Sequence, residues 1–432
     1  MKKTSLARDI SGVFGSNVLA IISALLMGVI VARYLGPEGK GLFTALTGVP
    51  VIVASFAAMG IRRTAVYFIG KKEFNESEVA SAVIQILIIT SLAGMGASYI
   101  AFHWMDNSSY TLELILITIL IIPFRLATIY AGGIYLGREQ FRFANLMKWS
   151  VPMVNLLLLV VFVIILEMDV AGALLAVMLS GVIISVVAIA KLSKDFKLTL
   201  KWNRILLKRM LSLGTLYAGS LLVMKLIYRI DVLLLEQLSD LKEVGYYSIA
   251  VTISEQLWQL PLAVGIVIMS KSANAHDPAL MNKKVGQMLR FSLFAGAAGA
   301  VVMYFIMPFL IPLIYGKAFS ESATLLQTIL PGIVFFIIFR ILNSHLNGLG
   351  KPLPAIYAII PALALNIGLN YLWIPEFGGK GAAMATNVSY VFGTVLMIVF
   401  YIRATKAKAA ELLLPQREDM RIIMQKLKGR KR

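Results

Sequence analysis

There is no cysteine anywhere in the chain. Disulfides, thiol nucleophiles and thiolate metal sites are therefore excluded. Histidine is nearly as scarce. His103, His276 and His345 are scattered singly, so no HExxH-type metal pair can form, and His103 and His276 read as solvated loop residues. Charge is also thin, at 15% of residues against about 25% in ordinary soluble domains. The acids are the scarcer sign, with 22 Asp and Glu against 41 Lys and Arg.

What fills the space is apolar: 59% of the 432 residues are hydrophobic, gathered into long runs. The runs fall near 10–34, 42–61, 78–102, 112–136, 146–166, 170–190, 211–237, 244–270, 288–315, 323–345, 353–374 and 381–402. Each has about 20 residues or more, enough to cross a ~30 Å hydrocarbon core at ~1.5 Å per residue. We number them spans 1 to 12. The fold class expected is an all-α membrane protein of about 12 transmembrane helices, in two pseudo-symmetric six-helix lobes around a central cavity. Residues 1–9 are basic, but no small-residue cleavage pattern follows, so the first run reads as a retained helix and not a signal peptide.

The net charge of +19 does not point to nucleic acid, because the Lys and Arg sit in short loops between apolar runs. With the N-terminus placed in the cytoplasm, 32 of the 41 fall on inside segments, 5 on outside loops and 4 within spans. That bias puts both termini inside, in a multi-pass protein of the cytoplasmic (inner) membrane. The outside loops have at most about ten residues, which leaves little room for an external catalytic site. With no catalytic constellation either, an enzyme is not expected, and neither is a cofactor or a resident metal.

The longest inside loop separates six spans from six. The domain reading is an N-terminal lobe at 1–190, a cytoplasmic linker at 191–210, a C-terminal lobe at 211–403 and a basic tail at 404–432. The halves resemble one another. Gly41-Leu42-Phe43-Thr44 after span 1 is similar to Gly245-Tyr246-Tyr247-Ser248 after span 7. Leu136-Gly137-Arg138 is similar to Leu349-Gly350-Lys351, and Gly172-Ala173 to Gly381-Ala382. The offsets are 204, 213 and 209, which suggests a six-helix repeat. An even helix number makes the halves parallel, with substrate expected between them and access alternating by rocking. In the tail, Met420, Ile423, Met424 and Leu427 share helical spacing among basic residues, as in an amphipathic helix lying on the inner leaflet.

Six charges are singled out as candidates for membrane depth: Arg125, Lys225, Arg229, Asp231, Glu255 and Arg340. Each costs roughly 2.5–3.5 kcal/mol to insert, so each should face a cavity or a partner. Four are basic, and a cationic interior suits an anionic cargo such as a lipid pyrophosphate. Lys225 and Arg229 are four apart and share one face of span 7. Lys225 stands ~21 Å along the span, near mid-depth. Two readings of it stand side by side, an ion pair with Glu255 bracing two helices and a phosphate ligand. Arg125 follows Pro123, whose disturbance of the helix favours a cavity lining, and Arg340 is close enough to the inner surface to snorkel. Gln259 shares a helix face with Glu255, and Asn366 with Asn370. These amides can bond sugar hydroxyls, although amides also glue helices together. Glu255 and Asp231 are the acids expected to carry a coupling ion, H+ or Na+.

The helix-end motifs resemble those of the polysaccharide flippases (Wzx type) of the multidrug/oligosaccharidyl-lipid/polysaccharide exporter superfamily. Arg33-Tyr34-Leu35-Gly36-Pro37-Glu38-Gly39-Lys40-Gly41 is similar to the family's Arg-x-Leu-Gly-Pro-x-x-x-Gly turn. Tyr315-Gly316-Lys317-Ala318-Phe319 is similar to its Tyr-Gly-x-x-Phe. Gly378-Gly379-Lys380-Gly381-Ala382-Ala383-Met384-Ala385-Thr386 is the longest piece. The resemblance covers nearly the whole chain. It implies a polyprenyl-pyrophosphate-linked oligosaccharide carried between leaflets, membrane lipids as surroundings and a polysaccharide polymerase complex as a partner. A lipid II flippase shares this charge logic but usually has two further helices. A drug/cation antiporter of the same superfamily would want acids in its cavity. The Gly-x-x-x-Asp-Arg-x-Gly-Arg-Arg loop of a major-facilitator permease is absent from residues 61–73.

Overall fold

A computed structural model describes residues 6–58, 60–105, 107–199, 201–273, 277–414 and 416. Side chains are described from residue 19 onward, except at 141, 216–222 and 273. His276 and the amphipathic tail pattern at 420–427 lie outside the described residues.

The chain is helical, with no strand among the described residues. Among the described residues, nine stretches are long and apolar enough to cross a membrane. Two of them, Leu19–Lys71 and Leu353–Thr405, have 53 residues each, far more than one crossing needs. Leu19–Lys71 is divided at Gly36 (φ 66°) and again at Gly60 (φ 61°), and Leu353–Thr405 at Gly378 (φ 54°). There the chain turns through a conformation that only glycine adopts at little cost. The helix Arg204–Leu238 supplies span 7. With the two long stretches divided, the layout is the twelve-helix one expected from the sequence. His103 proves to be in the last turn of the helix Glu76–Met105, not in a loop.

Helix breaks follow the prolines. Proline lacks the N–H that would bond the carbonyl four residues back, and its ring crowds that carbonyl. In span 4, Pro123 disturbs Ile119, and the helices Leu112–Ile119 and Ile121–Gly137 part at that point. In span 8, Pro261 disturbs Leu257, and the chain tightens to a 3-10 turn at Glu255–Trp258. Pro331 sits within the helix Ser320–Gly348. One residue later the Gly332 N–H donates 2.7 Å to Asn387 Oδ1, and Asn387 Nδ2 donates 2.5 Å to Thr328 O. The Asn387 amide thus replaces a main-chain bond between two groups that would otherwise lack partners.

The chain forms two compact units, Met1–Gly245 with Ile314–Ala318, and Tyr246–Leu313 with Phe319–Arg432. The first holds span 7 as well as spans 1 to 6. One reason is the linker. Ser77, Ser81 and Gln85 form a stripe at four-residue spacing, ~6 Å per step along a helix. Lys197 N donates to Ser77 Oγ at 3.3 Å and Thr199 N to Ser81 Oγ at 3.0 Å. Gln85 Nε2 donates to Thr199 O at 3.3 Å and to Lys201 O at 3.1 Å. Alternate residues of extended chain advance ~6.6 Å, so the two periods match and the linker lies strapped to the helix. Asn203 then caps the helix Arg204–Leu238, its side chain accepting from Leu206 N. The second unit has an aromatic core in which Phe336 stacks with Phe339 at 4.8 Å and Tyr390 at 4.3 Å, beside Trp258.

Candidate functional site

The break at Ile119–Ile121 sets Arg125 just beyond it, in a membrane-depth segment of the first unit. Its guanidinium makes no hydrogen bond or ion pair among the described residues, and it lies within electrostatic reach of Lys225. Arg229, one turn along the helix Arg204–Leu238, is within the same reach. Lys225 Nζ donates to Ser55 Oγ at 2.7 Å, and it makes no ion pair among the described residues. The partner that Lys225 has within the first unit is a hydroxyl of span 2.

Arg125, Lys225 and Arg229 thus come together in one unit, three like charges held without a counter-charge on Arg125 or Lys225. Mutual repulsion in a low-dielectric setting is costly, and an anion that reaches all three relieves it. A diphosphate, with charge spread over several oxygens, is matched to such a cluster. A second basic group lies at the inner end of span 2, where exposed Arg62 is within reach of Arg63 and Lys148.

Of the other expected residues, Asp231 lies in the first unit and Glu255, Gln259, Arg340, Asn366 and Asn370 in the second. Asp231 is buried in the first unit, at 3% exposure. In the second unit Asn366 and Asn370 are fully buried, and Asn370 Nδ2 donates to Asn366 O at 2.9 Å and to Asn366 Oδ1 at 3.1 Å. That is helix-to-itself bonding, with Asn366 Nδ2 left without a partner. Arg340 lies 4.5 Å over the face of buried Trp258, whose Nε1 donates to Ile333 O. The guanidinium therefore packs on an aromatic face rather than snorkelling. Gln259 is exposed and Glu255 half-buried at the 3-10 turn. His345 is buried, its Nδ1 2.6 Å from the Tyr401 hydroxyl.

Sequence reasoning missed two side chains. Ser55 gave no signal, since only the fold brings it to Lys225, 170 residues away. Glu236, near the outer end of span 7, is not among the six charges singled out from the sequence. It is 5% exposed, with Asn107 Nδ2 donating to Oε1 at 2.8 Å, so Asp231 and Glu255 are not the only buried-depth acids. Tyr110 in the adjoining loop stands beside it, and burial together with the Glu236 carboxylate pushes that phenol above its ordinary range.

A family model described as polysaccharide biosynthesis protein matches residues 6–267, and one described as MatE matches residues 217–372. The "Probable multidrug resistance protein NorM" of Chromobacterium violaceum is 27% identical over 141 residues, 31% of this chain and 30% of that protein. The chain thus spans under a third of that relative's length. An uncharacterized membrane protein of Methanocaldococcus jannaschii is 22% identical over 423 residues, covering 93% of this chain and 99% of its own. Among solved structures, the inward closed conformation of the lipid II flippase MurJ matches with a TM-score of 0.77 at 15% identity, covering 94% of this chain and 89% of that one. The inward-facing conformation of a multidrug resistance MATE family transporter matches at 0.73 and 17% identity, covering 90% and 96%.

Proposed function

The chain belongs to the polysaccharide biosynthesis protein family, within the multidrug/oligosaccharidyl-lipid/polysaccharide exporter superfamily of multi-pass membrane transporters, and from that premise we propose that it flips a polyprenyl-pyrophosphate-linked oligosaccharide. The movement runs from the inner to the outer leaflet of the cytoplasmic membrane, with both termini inside, for surface polysaccharide assembly. The observation that carries this reading is the cluster of Arg125, Lys225 and Arg229. It would hold the pyrophosphate while the polyprenyl tail stays in lipid. Arg62 and Arg63 would draw the headgroup to the inner mouth.

Access alternates between the lobes at 1–190 and 211–403, joined by the linker at 191–210. Gln259, Asn366, Asn370 and Arg340 are the candidates for the sugar. Asp231 or Glu255 would carry H+ or Na+. A polysaccharide polymerase complex is the partner that would receive the cargo.

The likeness to MurJ favours a second reading, in which the same cluster takes lipid II. Both readings need the cations. A drug/cation antiporter, to which the MatE match and the NorM relative point, would instead be served by acids. The test is Lys225→Gln combined with Arg229→Gln. Glycan export should stop while the protein still inserts in the membrane. Normal export by that double variant would overturn the cationic-cluster reading.

A further inference from the structure

The turn after span 1 and the turn after span 7 meet backbone to backbone. A Cβ placed on Gly41 would lie 1.5 Å from Leu241 O and 3.1 Å from Gly245 N. A Cβ placed on Gly245 would lie 2.1 Å from Pro37 O and 3.2 Å from Gly41 N. Only residues without a side chain can approach like this. The partners also share one offset, since 204 residues separate Pro37 from Leu241 and Gly41 from Gly245. Each glycine presses on the residue equivalent to the one four places before itself. That reciprocity is what a two-fold relation generates at its axis.

A third strand of chain joins them. Arg33 Nε donates to Ile314 O at 2.6 Å, at the end of the helix Pro278–Tyr315. Carbonyls in a last helical turn lack intrahelical donors, and a cation there is favoured. The Lys and Arg distribution puts Gly41, Gly245 and Ile314 on the outer side of the membrane.

We propose that the Gly41–Gly245 crossing is the extracytoplasmic gate, a contact that must part before the headgroup can leave. The proposal rests on the flipping reading and its topology. The fit is steric, so one methyl group on either glycine should keep the gate from closing without touching the cationic cluster. The closed form requires both glycines, and any open form tolerates a side chain at either position.

The natural absence of cysteine makes a single reporter thiol clean. Thr44 lies one turn inside Gly41, and its hydroxyl is buried without a hydrogen-bond partner. Thr44→Cys should react slowly with a membrane-impermeant maleimide applied from outside. Adding Gly41→Ala should raise that rate by at least about tenfold. Adding Gly48→Ala, where a Cβ would meet only Leu233 Cδ2 at 4.0 Å, should leave it unchanged. Equal rates with and without Gly41→Ala would overturn the gate.

If Gly41→Ala does not reach the membrane, bridging replaces it. Glu38→Cys and Lys242→Cys are exposed and again 204 apart. A short bis-methanethiosulfonate, which forms a disulfide with each cysteine and releases methanesulfinate, should arrest flipping when it bridges them, and reduction should restore it. Flipping that continues through complete bridging would overturn the proposal. The labelling needs no cargo, so its result stands apart from whether the cargo is the one proposed.

Discussion

Lys225 Nζ donates to Ser55 Oγ at 2.7 Å, and the Ser55 hydroxyl donates in turn to Val51 O at 2.6 Å. The second bond fixes the first. With its hydrogen committed to the main chain, the hydroxyl can only accept from the ammonium. Span 2 therefore holds the central cation of the cluster in one rotamer without neutralising it.

Removing that hold should weaken transport and spare the fold. Ser55→Ala forfeits a charge-assisted bond of about 1.5–3 kcal/mol. Flipping assayed in proteoliposomes should fall roughly tenfold, with Ser55→Thr restoring most of it. Combining Ser55→Ala with Lys225→Gln should add nothing to Lys225→Gln alone, since the serine acts through the lysine. Additive losses would assign Ser55 a separate role.

Asn387 should be a stability residue. Its amide satisfies Gly332 N–H and Thr328 O inside span 10. Asn387→Ala leaves both groups buried and unpaired, at about 1–3 kcal/mol each. Thermal unfolding in detergent should drop by several degrees. Asn387→Asp keeps the acceptor and loses the donor, so its loss should be intermediate or worse. Transport by the molecules that remain folded should be near normal.

Asp195 gives a pH dependence. It lies past span 6 at the inner end of the helix Asp169–Asp195. The hydrogen bond from Lys191, with added help from Tyr135 and Arg138, holds its carboxyl below the usual carboxylate range. The folded value lies under the unfolded one. The stabilisation is therefore present above about pH 4 and lost as pH falls through the lower folded value. The side chain is 21% exposed, so the effect should be about 1 kcal/mol or less. Asp195→Asn should lower the thermal midpoint at pH 7, and the difference from the parent should shrink as pH falls below about 4. A constant difference across that range would assign the loss to packing instead.

The crossings and their order were legible because apolar length is a strong signal and because glycines mark the turns. Gly36 and Gly378 divide the two long helices where the sequence places loops. The Gly41 and Gly245 match, read as a weak repeat, proves to be a contact. Arg125, Lys225 and Arg229 were legible as a group because charge at membrane depth is rare. Their partners were not. Ser55 and Asn387 act through contacts 170 and 55 residues away, which periodicity cannot report. Glu236 stands one residue from the end of its apolar run, and only the fold brings Asn107 to it. Arg340 looked able to reach the interface, yet Trp258 offers it a face at 4.5 Å.

The most direct test of the flipping account is mass spectrometry of polyprenyl lipids from cells lacking this protein. The account predicts accumulation of one complete pyrophosphate-linked oligosaccharide, cleared by the parent chain and not by the Lys225→Gln, Arg229→Gln variant. Build-up of the cell-wall lipid precursor would transfer the assignment to lipid II. An unchanged lipid profile, with new sensitivity to cationic drugs, would contradict it.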